Sequence, residues 1–359
     1  MLVGRVGFDA VVLGDGSVLA VGDDWDCHPG GARPGSERAE VYEPAKDRWF
    51  EVESFNKPRK IPATVGLVDG SAMVIGGVNA DDVSFSSTKI FSATTRSRAD
   101  GPLLDAARSR PLAATLGDGR VLVASDIPDR EMSSSTTTEL YDPAAGIWTR
   151  GPTLSAISLT DLLPLGNGRL LGIGYDHRDS EPVLVALLFD PARDAWLAID
   201  APGTGLGFDV VALADGGALA IGGYDGGELY GGDGSLTARV QRLDPTSGRW
   251  SEVASLPAPR ASTASVRLAD GRVLVAGGFV GDGFSDSQVL GAVEIFDPES
   301  GRWTTMPDLL EARYDAGVVV LADGSVLLMG GFADFNYHGD TPWCGMPKTS
   351  VERFSPPQP

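Results

Sequence analysis

The stretch that decides the fold runs from Arg260 to Trp303 and reads RASTASVRLADGRVLVAGGFVGDGFSDSQVLGAVEIFDPESGRW. It contains, in order, an arginine, an Asp-Gly pair, two glycines, an aromatic residue before Asp-Pro, and a tryptophan. The same order recurs along the whole chain with a period of about fifty residues. Such a period indicates an architecture built from repeated structural units.

Each unit has an Asp-Gly or Asn-Gly pair between two apolar runs, which is the strongest local signal for a β-hairpin. These pairs predict a type I′ turn, in which both central residues have positive φ. The seven pairs begin at Asp15, Asp69, Asp118, Asn167, Asp215, Asp270 and Asp323. The chain is therefore expected to form seven hairpins.

Two further strands follow each hairpin. The second strand ends at paired glycines in four units, where glycine permits positive φ and the close approach of another backbone. The third strand ends at an aromatic residue or leucine before Asp-Pro or Glu-Pro, and the fourth begins at a tryptophan expected to pack between units. These tryptophans are Trp49, Trp148, Trp196, Trp250 and Trp303. Four strands per unit, repeated radially, predict a β-propeller.

The quoted residues resemble the kelch repeat, and the resemblance covers essentially the whole chain. It implies an all-β, seven-bladed propeller that forms a single domain over residues 1–359. The blades are expected at about 1–56, 57–105, 106–155, 156–203, 204–257, 258–310 and 311–359. No fourth strand is visible after Phe354-Ser355-Pro356, so the last blade is expected to have three strands.

Composition excludes several classes of partner. The formal net charge of −20 argues against binding to nucleic acid or to anionic membrane surfaces. No apolar run is long enough to span a bilayer, and no secretory signal is visible, so we expect an acidic, soluble, cytoplasmic protein. Two cysteines do not form a disulfide framework.

All three histidines, both cysteines and two tryptophans outside the repeat lie in the connections between second and third strands. In a propeller these connections open on one face, and units one and seven become neighbours when the ring closes. A ligand pocket is therefore expected on this face. Residues of units one and seven that could meet there are Trp25, Cys27, His28, His338, Trp343 and Cys344.

Five arginines open units at the start of the innermost strand, which in kelch proteins borders the same mouth. Arginine, histidine and aromatic side chains together suit an anionic or polar small molecule, or an acidic peptide. The alternative is that the arginines only cap strand starts and pair with Asp. The expected ligand-binding residues are Arg5, Arg59, Arg108, Arg260, Arg313, Trp25, Tyr175, His177, Tyr224, Phe279, Phe332, Tyr337 and Trp343.

A more specific hypothesis than a general ligand pocket is a metal site. It would bind one transition-metal ion where units one and seven meet. Two imidazoles and a carboxylate suit Fe(II), whereas an added thiolate favours Zn or Cu. The candidate ligands are His28, His338, Asp24, Asp26, Asp334, Cys27 and Cys344. The two cysteines could instead form a disulfide that joins the first and last blades.

Three kelch precedents bear on activity. The spacings Asp24-x-x-x-His28 and Asp334-x-x-x-His338 resemble half of the iron motif of nitrile-specifier proteins, whose leading glutamate is missing here. Galactose-oxidase-like enzymes share the fold and use tyrosine and histidine on copper, for which Tyr175 and Tyr337 are available. Sialic acid mutarotases use polar mouth residues without a metal. The leading hypothesis is a binding module for a small polar or anionic ligand or a protein segment, and the alternative is a metal-dependent lyase or oxidase.

Overall fold

The protein is a seven-bladed, all-β propeller in a computed structural model. The structure describes residues 1–5, 7–22, 38–53, 55, 59–79, 81–126, 135–225, 235–281, 287–334 and 347–357. Every regular element within these ranges is a β-strand. The same ranges contain no helix with the length and hydropathy needed to cross a membrane. The predicted fold class is confirmed.

The first four blades are four-stranded antiparallel sheets in meander order. Blade 1 contains β1 (Phe8–Val12), β2 (Val18–Gly22), β3 (Ala39–Glu43) and β4 (Arg48–Val52). Blade 2 contains β5 (Ala63–Gly66), β6 (Ala72–Ile75), β7 (Thr88–Phe91) and β8 (Arg98–Asp100). Blade 3 contains β9 (Leu112–Thr115), β10 (Val121–Asp126), β11 (Thr136–Asp142) and β12 (Ile147–Arg150). Blade 4 contains β13 (Ile157–Pro164), β14 (Leu170–Asp176), β15 (Val183–Asp190) and β16 (Ala195–Ile199).

Blades 5 and 6 each add a short two-stranded sheet between their second and third main strands. Blade 5 contains β17 (Asp209–Ala212), β18 (Ala218–Ile221), β19 (Tyr224–Asp225), β20 (Ser235–Leu236), β21 (Val240–Leu243) and β22 (Trp250–Glu252). Blade 6 contains β23 (Ala264–Arg267), β24 (Val273–Ala276), β25 (Phe279–Val280), β26 (Gln288–Val289), β27 (Val293–Asp297) and β28 (Arg302–Met306). Blade 7 contains β29 (Gly317–Val320), β30 (Val326–Met329) and β31 (Val351–Phe354), so the described residues form the three-stranded last blade that was predicted.

The first strand of each blade lines the centre of a closed ring. Each of these inner strands contacts the inner strands of both neighbouring blades, and β29 contacts β1 to close the circle. The apolar clusters lie between neighbouring blades. One of them joins Leu19 and Val41 of blade 1 to Val74 and Phe91 of blade 2. The second strands are buried on both faces because each is covered by a blade on either side.

The Asp-Gly hairpins are present, but the predicted type I′ turn is wrong. Only the glycine has positive φ, as at Gly16, where φ is 80°. The Gly16 N–H donates to the Leu13 carbonyl at 2.9 Å, and the Leu13 N–H donates to the Ser17 carbonyl at 2.8 Å. This is a three-residue loop with glycine in the left-handed region. Asp15 remains in its ordinary conformation because its carboxylate accepts a hydrogen bond from the Ser17 N–H at 3.0 Å.

The paired glycines are joints between blades. Gly277 and Gly278 have φ of 66° and 91°. The Gly278 N–H donates to the carbonyl of Arg313, which opens the next blade, at 2.9 Å. A β-carbon at Gly277 would lie 2.2 Å from that same carbonyl oxygen. Glycine is therefore required here because the backbone of the next blade comes too close for a side chain.

The repeat tryptophans pack between blades, as predicted. The Trp303 ring lies tilted against Phe296 of its own blade, with 4.9 Å between ring centres, and joins the cluster shared by blades 5 and 6. Its indole N–H donates to the carbonyl of Ala254 in blade 5 at 2.7 Å. Trp250 makes the equivalent hydrogen bond to Asp200 in blade 4 at 2.8 Å. The fourth strand therefore contributes to the interface with the preceding blade.

Candidate ligand-binding face

We call the loop face the side of the ring that carries the connections between second and third strands. The inner strands also begin on this face, because their first residues pair with the last residues of the second strands, as in the pairing of Asp209 with Ile221. The central channel opens there. Long parts of the connections, including 23–37, 226–234 and 335–346, lie outside the described residues.

The five unit-opening arginines lie inside the blades. Each is at most 1% exposed, and four of them form an ion pair with a glutamate on the third strand of their own blade. The pairs are Arg5–Glu40 at 3.3 Å, Arg108–Glu139 at 2.9 Å, Arg260–Glu294 at 2.6 Å and Arg313–Glu352 at 2.7 Å. This arrangement favours the strand-capping alternative, with glutamate where we expected aspartate.

These arginines also connect the blades to one another. The main-chain carbonyl of Arg5 accepts a hydrogen bond from Gly331 of blade 7 at 3.2 Å, which closes the ring. The Arg313 carbonyl likewise accepts a hydrogen bond from the Gly278 N–H of blade 6. Nη1 of Arg313 donates to the carbonyl of Gly330, in the same blade as Arg313, at 3.0 Å. One residue therefore ties together the start of a blade, its third strand and the preceding blade.

Blade 2 keeps the arginine without the glutamate. Lys89 stands at the register position that glutamate holds in four other blades. Arg59 donates to the Gly76 carbonyl at 2.7 Å and to Ser87 Oγ at 2.6 Å, and its guanidinium lies 4.6 Å from the centre of the Phe85 ring. Burial lowers the pKa of Arg59 to about 10, and the attraction of the Asp100 carboxylate offsets the lost hydration only in part.

In blades 4 and 5, a residue other than glutamate stands at the third-strand position of the ion pair. In blade 4, Leu187 stands at the glutamate position and packs against Leu154 and Ile157. In blade 5, Gln241 stands there and accepts a hydrogen bond from the Gly203 N–H at 2.6 Å. Apolar or neutral contacts can therefore take the place of the buried pair within the same fold.

Three of the expected aromatic residues meet on the loop face of blades 5, 6 and 7. Tyr224, Phe279 and Phe332 belong to one cluster, which is centred on Tyr314. The Tyr314 ring lies 5.1 Å from Phe332 and 5.6 Å from Phe279. Tyr314 was not selected from the sequence, although its position directly after a unit-opening arginine was a usable signal. The cluster gives the connections of three blades a common apolar base.

Tyr175 and His177 lie in blade 4, outside this cluster. Burial and the nearby Asp161 carboxylate raise the pKa of Tyr175 to about 12. The His177 N–H donates to the Ala156 carbonyl at 2.7 Å, and its Nε2 is buried without a hydrogen-bond partner among the described residues. The structure therefore brings Tyr175 to the channel mouth beside a carboxylate.

Four carboxylates at the starts of inner strands were missed from the sequence. Asp9, Asp161 and Asp209 stand at the same repeat position in blades 1, 4 and 5, six residues before the turn, and Asp315 lies slightly earlier in blade 7. Reduced hydration raises the pKa of all four, that of Asp9 to about 6 and that of Asp209 to about 7, while the side chains of Asp161 and Asp315 stay exposed. No cation in the described part of the chain forms an ion pair with any of them. The recurrence of aspartate at one repeat position was the available signal.

A bulge lies directly before Asp161. The register of β13 against β14 shifts between Leu159 and Asp161, which leaves Thr160 as an extra residue. Thr160 Oγ1 donates to the Asp161 carboxylate at 2.8 Å. Repulsion from Asp161 adds to the raised pKa of Asp209 in the next blade. Carboxylates of two neighbouring blades therefore lie close enough at the mouth to repel each other.

The expected metal site falls almost entirely outside the described residues. Those residues are His28, His338, Asp24, Asp26, Cys27 and Cys344, together with the ligand-binding candidates Trp25, Tyr337 and Trp343. Asp334 is described, and its main-chain carbonyl accepts a hydrogen bond from the Tyr314 hydroxyl at 3.4 Å. Within the described ranges, no three His, Cys, Asp or Glu side chains are arranged to hold a metal ion. The metal hypothesis stays a prediction.

Comparisons with known proteins agree with this geometry. The family model described as the kelch motif matches residues 211–257 and 260–310, which are blades 5 and 6. Blades 5 and 6 are therefore kelch motifs. Among curated proteins, this chain is 27% identical to Kelch-like protein 23 of Pongo abelii over 55% of this chain's length. It is 30% identical to Kelch-like protein 35 of Mus musculus over 51% of its length.

These matches cover only part of the relatives, 32% of the first protein and 29% of the second. An F-box/kelch-repeat protein of Arabidopsis thaliana, SKIP30, is 27% identical over 49% of this chain and 53% of its own. A solved structure titled as a fungal alcohol oxidase of the AA5 family, in complex with copper, has a TM-score of 0.67 and 19% identity. That alignment covers 99% of this chain and 74% of the other, and at this identity it shows the fold alone.

Proposed function

We propose that this chain is a binding module whose loop face takes up a segment of another protein that carries positive charge. The observation that carries the proposal is the set of carboxylates at the channel mouth, Asp9, Asp161, Asp209 and Asp315, which have no ion-pair partner among the described residues. A ligand ammonium or guanidinium group would supply the missing counter-charge.

This charge preference is the reverse of the one expected from the sequence. An acidic ligand was expected because five arginines open the units, but their guanidinium groups are buried and bonded within the blades. An acidic peptide would instead meet the mouth carboxylates. Arg110 is exposed near the start of the blade 3 inner strand, so the cationic preference rests on blades 4, 5, 7 and 1.

A protein segment is favoured over a small molecule for two reasons. Kelch propellers typically serve as protein-binding scaffolds, and the relatives that this chain resembles are kelch-like and F-box/kelch proteins. In addition, the aromatic cluster around Tyr314 anchors the connections of blades 5, 6 and 7 on one rigid base. Long connections on a rigid base suit a broad surface contact.

The test uses two fluorescein-labelled peptides of equal length, one with lysine and one with glutamate in a glycine-serine background. The lysine peptide should bind the whole chain more tightly than the glutamate peptide by fluorescence anisotropy at physiological salt. Its affinity should rise between pH 5 and pH 8, because Asp209, with a pKa of about 7, loses its proton over that range. The variant Asp161→Asn with Asp209→Asn should bind the lysine peptide several-fold more weakly.

The matched control is Asp118→Asn with Asp270→Asn, which makes the same change in net charge on the opposite face. Asparagine is acceptable in these turns because Asn167 fills the same position in blade 4. Equal loss of binding in both double variants would show nonspecific attraction to an acidic protein. Preference for the glutamate peptide would refute the proposed charge of the ligand.

A further inference from the structure

The outer strand of blade 4 differs from the other described fourth strands in carrying no charged or polar side chain. β16 reads AWLAI from Ala195 to Ile199, and Leu197 in its middle is 60% exposed. The fourth strands of blades 1, 2, 3, 5 and 6 each contain at least one charged residue, in the sequences RWFEV, RAD, IWTR, WSE and RWTTM. Charged side chains on an edge strand discourage pairing with another chain. β16 lacks this protection.

The outer edge of β16 presents main-chain donors and acceptors. Within the described residues β16 is the last strand of its sheet. In blade 3, the Gly151 N–H donates inward to the Thr138 carbonyl at 2.9 Å, so alternation turns the main-chain groups of Trp148 outward. Trp196 stands at the register position of Trp148, and the main-chain groups of Trp196 and Ala198 therefore face outward. Such a row of groups is a template for another strand.

The sequence of β16 is complementary to a second copy of itself. In an antiparallel pair of two copies centred on Leu197, Trp196 of one lies opposite Ala198 of the other. Ala195 lies opposite Ile199 in the same register. Each large side chain then faces a small one, and every outward N–H and C=O of one copy meets its partner in the other. The exposed Leu197 meets its counterpart at a non-hydrogen-bonded position, where facing side chains are closest.

The charges beside β16 limit the strength of this association. Asp194 forms an ion pair with Arg120 at 3.0 Å, which balances part of its charge. Asp200 is exposed and would lie opposite Asp194 of the second copy. This repulsion, added to the net charge of −20 on each copy, opposes pairing and is screened by salt. An edge of five residues is also a small interface, so the association is expected to be weak and to strengthen as salt is added.

We propose that β16 is the interface of a symmetric homodimer, in which the four-stranded blade 4 sheets of two copies join into one continuous antiparallel sheet. The two-fold axis passes between the two Leu197 residues, and each copy contributes the same surface. Main-chain hydrogen bonds hold the strands together, and the alternation of large and small side chains fixes their register. The interface lies on the outer rim of the ring and is independent of the proposed function of the loop face.

The first test is sedimentation velocity of the whole chain at concentrations from about 1 µM to about 500 µM. The weight-average mass should rise from that of a monomer toward twice that value. The dimer fraction at one concentration should be larger in about 0.5 M NaCl than in about 0.05 M NaCl, because salt screens the repulsion between acidic copies. A monomer at every concentration would overturn the proposal, and so would a dimer that weakens as salt is added.

Two variants with matched controls locate the interface. Leu197→Lys places like charges face to face on the two-fold axis, and Ala198→Pro removes one outward N–H. Each should weaken dimerisation about tenfold or more, whereas Thr304→Lys and Thr305→Pro, at the equivalent positions of β28, should dimerise like the native chain. Thermal unfolding checks that the variants are folded. A dimer that survives Leu197→Lys, or that Thr304→Lys weakens equally, would place the interface elsewhere.

Cross-linking tests the register. In a background of Cys27→Ser with Cys344→Ser, Leu197→Cys should form an intermolecular disulfide on mild oxidation. The reason is that Cα atoms at a non-hydrogen-bonded antiparallel position are only about 4.5 Å apart. Ile199→Cys should not cross-link, because Ala195 stands opposite it and its own counterpart lies farther along the strand. Cross-linking of Ile199→Cys as efficient as that of Leu197→Cys would overturn the proposed pairing.

Discussion

Removing one member of a buried arginine–glutamate pair should cost far more than removing both. In blade 6, Arg260 Nη2 donates to Glu294 Oε1 at 2.6 Å, and neither side chain is more than 4% exposed. The single change Glu294→Leu would leave a buried guanidinium without a counter-charge. We expect it to lower the free energy of unfolding by about 3–5 kcal/mol.

The double change Arg260→Met with Glu294→Leu should recover most of this loss. Among the described residues, Nε and Nη1 of Arg260 and Oε2 of Glu294 have no hydrogen-bond partner, so the native pair leaves part of its desolvation cost uncompensated. Blade 4 already shows an apolar arrangement around Leu187 at the same register position. We expect the double variant to lie within about 1 kcal/mol of the native protein, or above it.

The pair in blade 3 is the matched comparison. There, Arg108 Nη1 also donates to Ser125 Oγ at 3.1 Å and to the Thr137 carbonyl at 2.9 Å, and the Asp105 N–H donates to Glu139 at 2.8 Å. The corresponding double change would leave these groups unpaired, at about 1–3 kcal/mol for each one buried. Urea unfolding followed by circular dichroism measures these three variants. The reasoning would be refuted if the single and double changes in blade 6 lowered the free energy of unfolding equally. It would also be refuted if the double change lowered that free energy less in blade 3 than in blade 6.

Three further predictions follow from single positions. Gly277→Ala should destabilise the fold more than Gly301→Ala in urea unfolding, because both glycines have positive φ but only the first would place a β-carbon against a carbonyl, at 2.2 Å; equal losses would contradict the close approach. Asp209 has a pKa of about 7 instead of 3.8, so its contribution to stability falls as the pH rises from about 4 to 7. Asp209→Asn should therefore be more stable than the native protein at pH 8, by at most about 4 kcal/mol, and no more stable at pH 4. Elemental analysis of untagged protein tests the metal hypothesis, which requires stoichiometric iron, copper or zinc that is lost on replacement of His28 or His338.

The architecture could be predicted because its signals are local. An Asp-Gly pair, a glycine pair and a tryptophan each specify a turn, a joint or a contact within a few residues of themselves, and their recurrence gave the number of blades. The turn type was wrong because the sequence does not state loop length. In the structure, a leucine two residues before each Asp, such as Leu13 or Leu268, closes the hairpin and makes the loop three residues long.

The direction of the arginine side chains could not be read from the arginines alone. Whether Arg260 faces the mouth or the blade interior depends on Glu294, which lies far along the chain and meets it only when the third strand folds back. The sequence did contain a signal, since a glutamate stands two residues before the third-strand aromatic in four of the five units that open with arginine. In the fifth, Lys89 takes that place, and Arg59 forms no ion pair with a carboxylate among the described residues.

The mouth carboxylates lead to a different kind of inference. The scaffold does not require them, because four blades have an apolar side chain or none at the position of Asp9, Asp161 and Asp209, namely Ala63, Leu112, Ala264 and Gly317. Asp9 and Asp209 also weaken the fold at neutral pH, since burial raises the pKa of both. A group that the fold can do without, and that costs stability where it stands, is best accounted for by what it binds. On the proposed function, the ligand-binding positions are those at which the blades differ, and Asp9, Asp161 and Asp209 are such positions on the loop face.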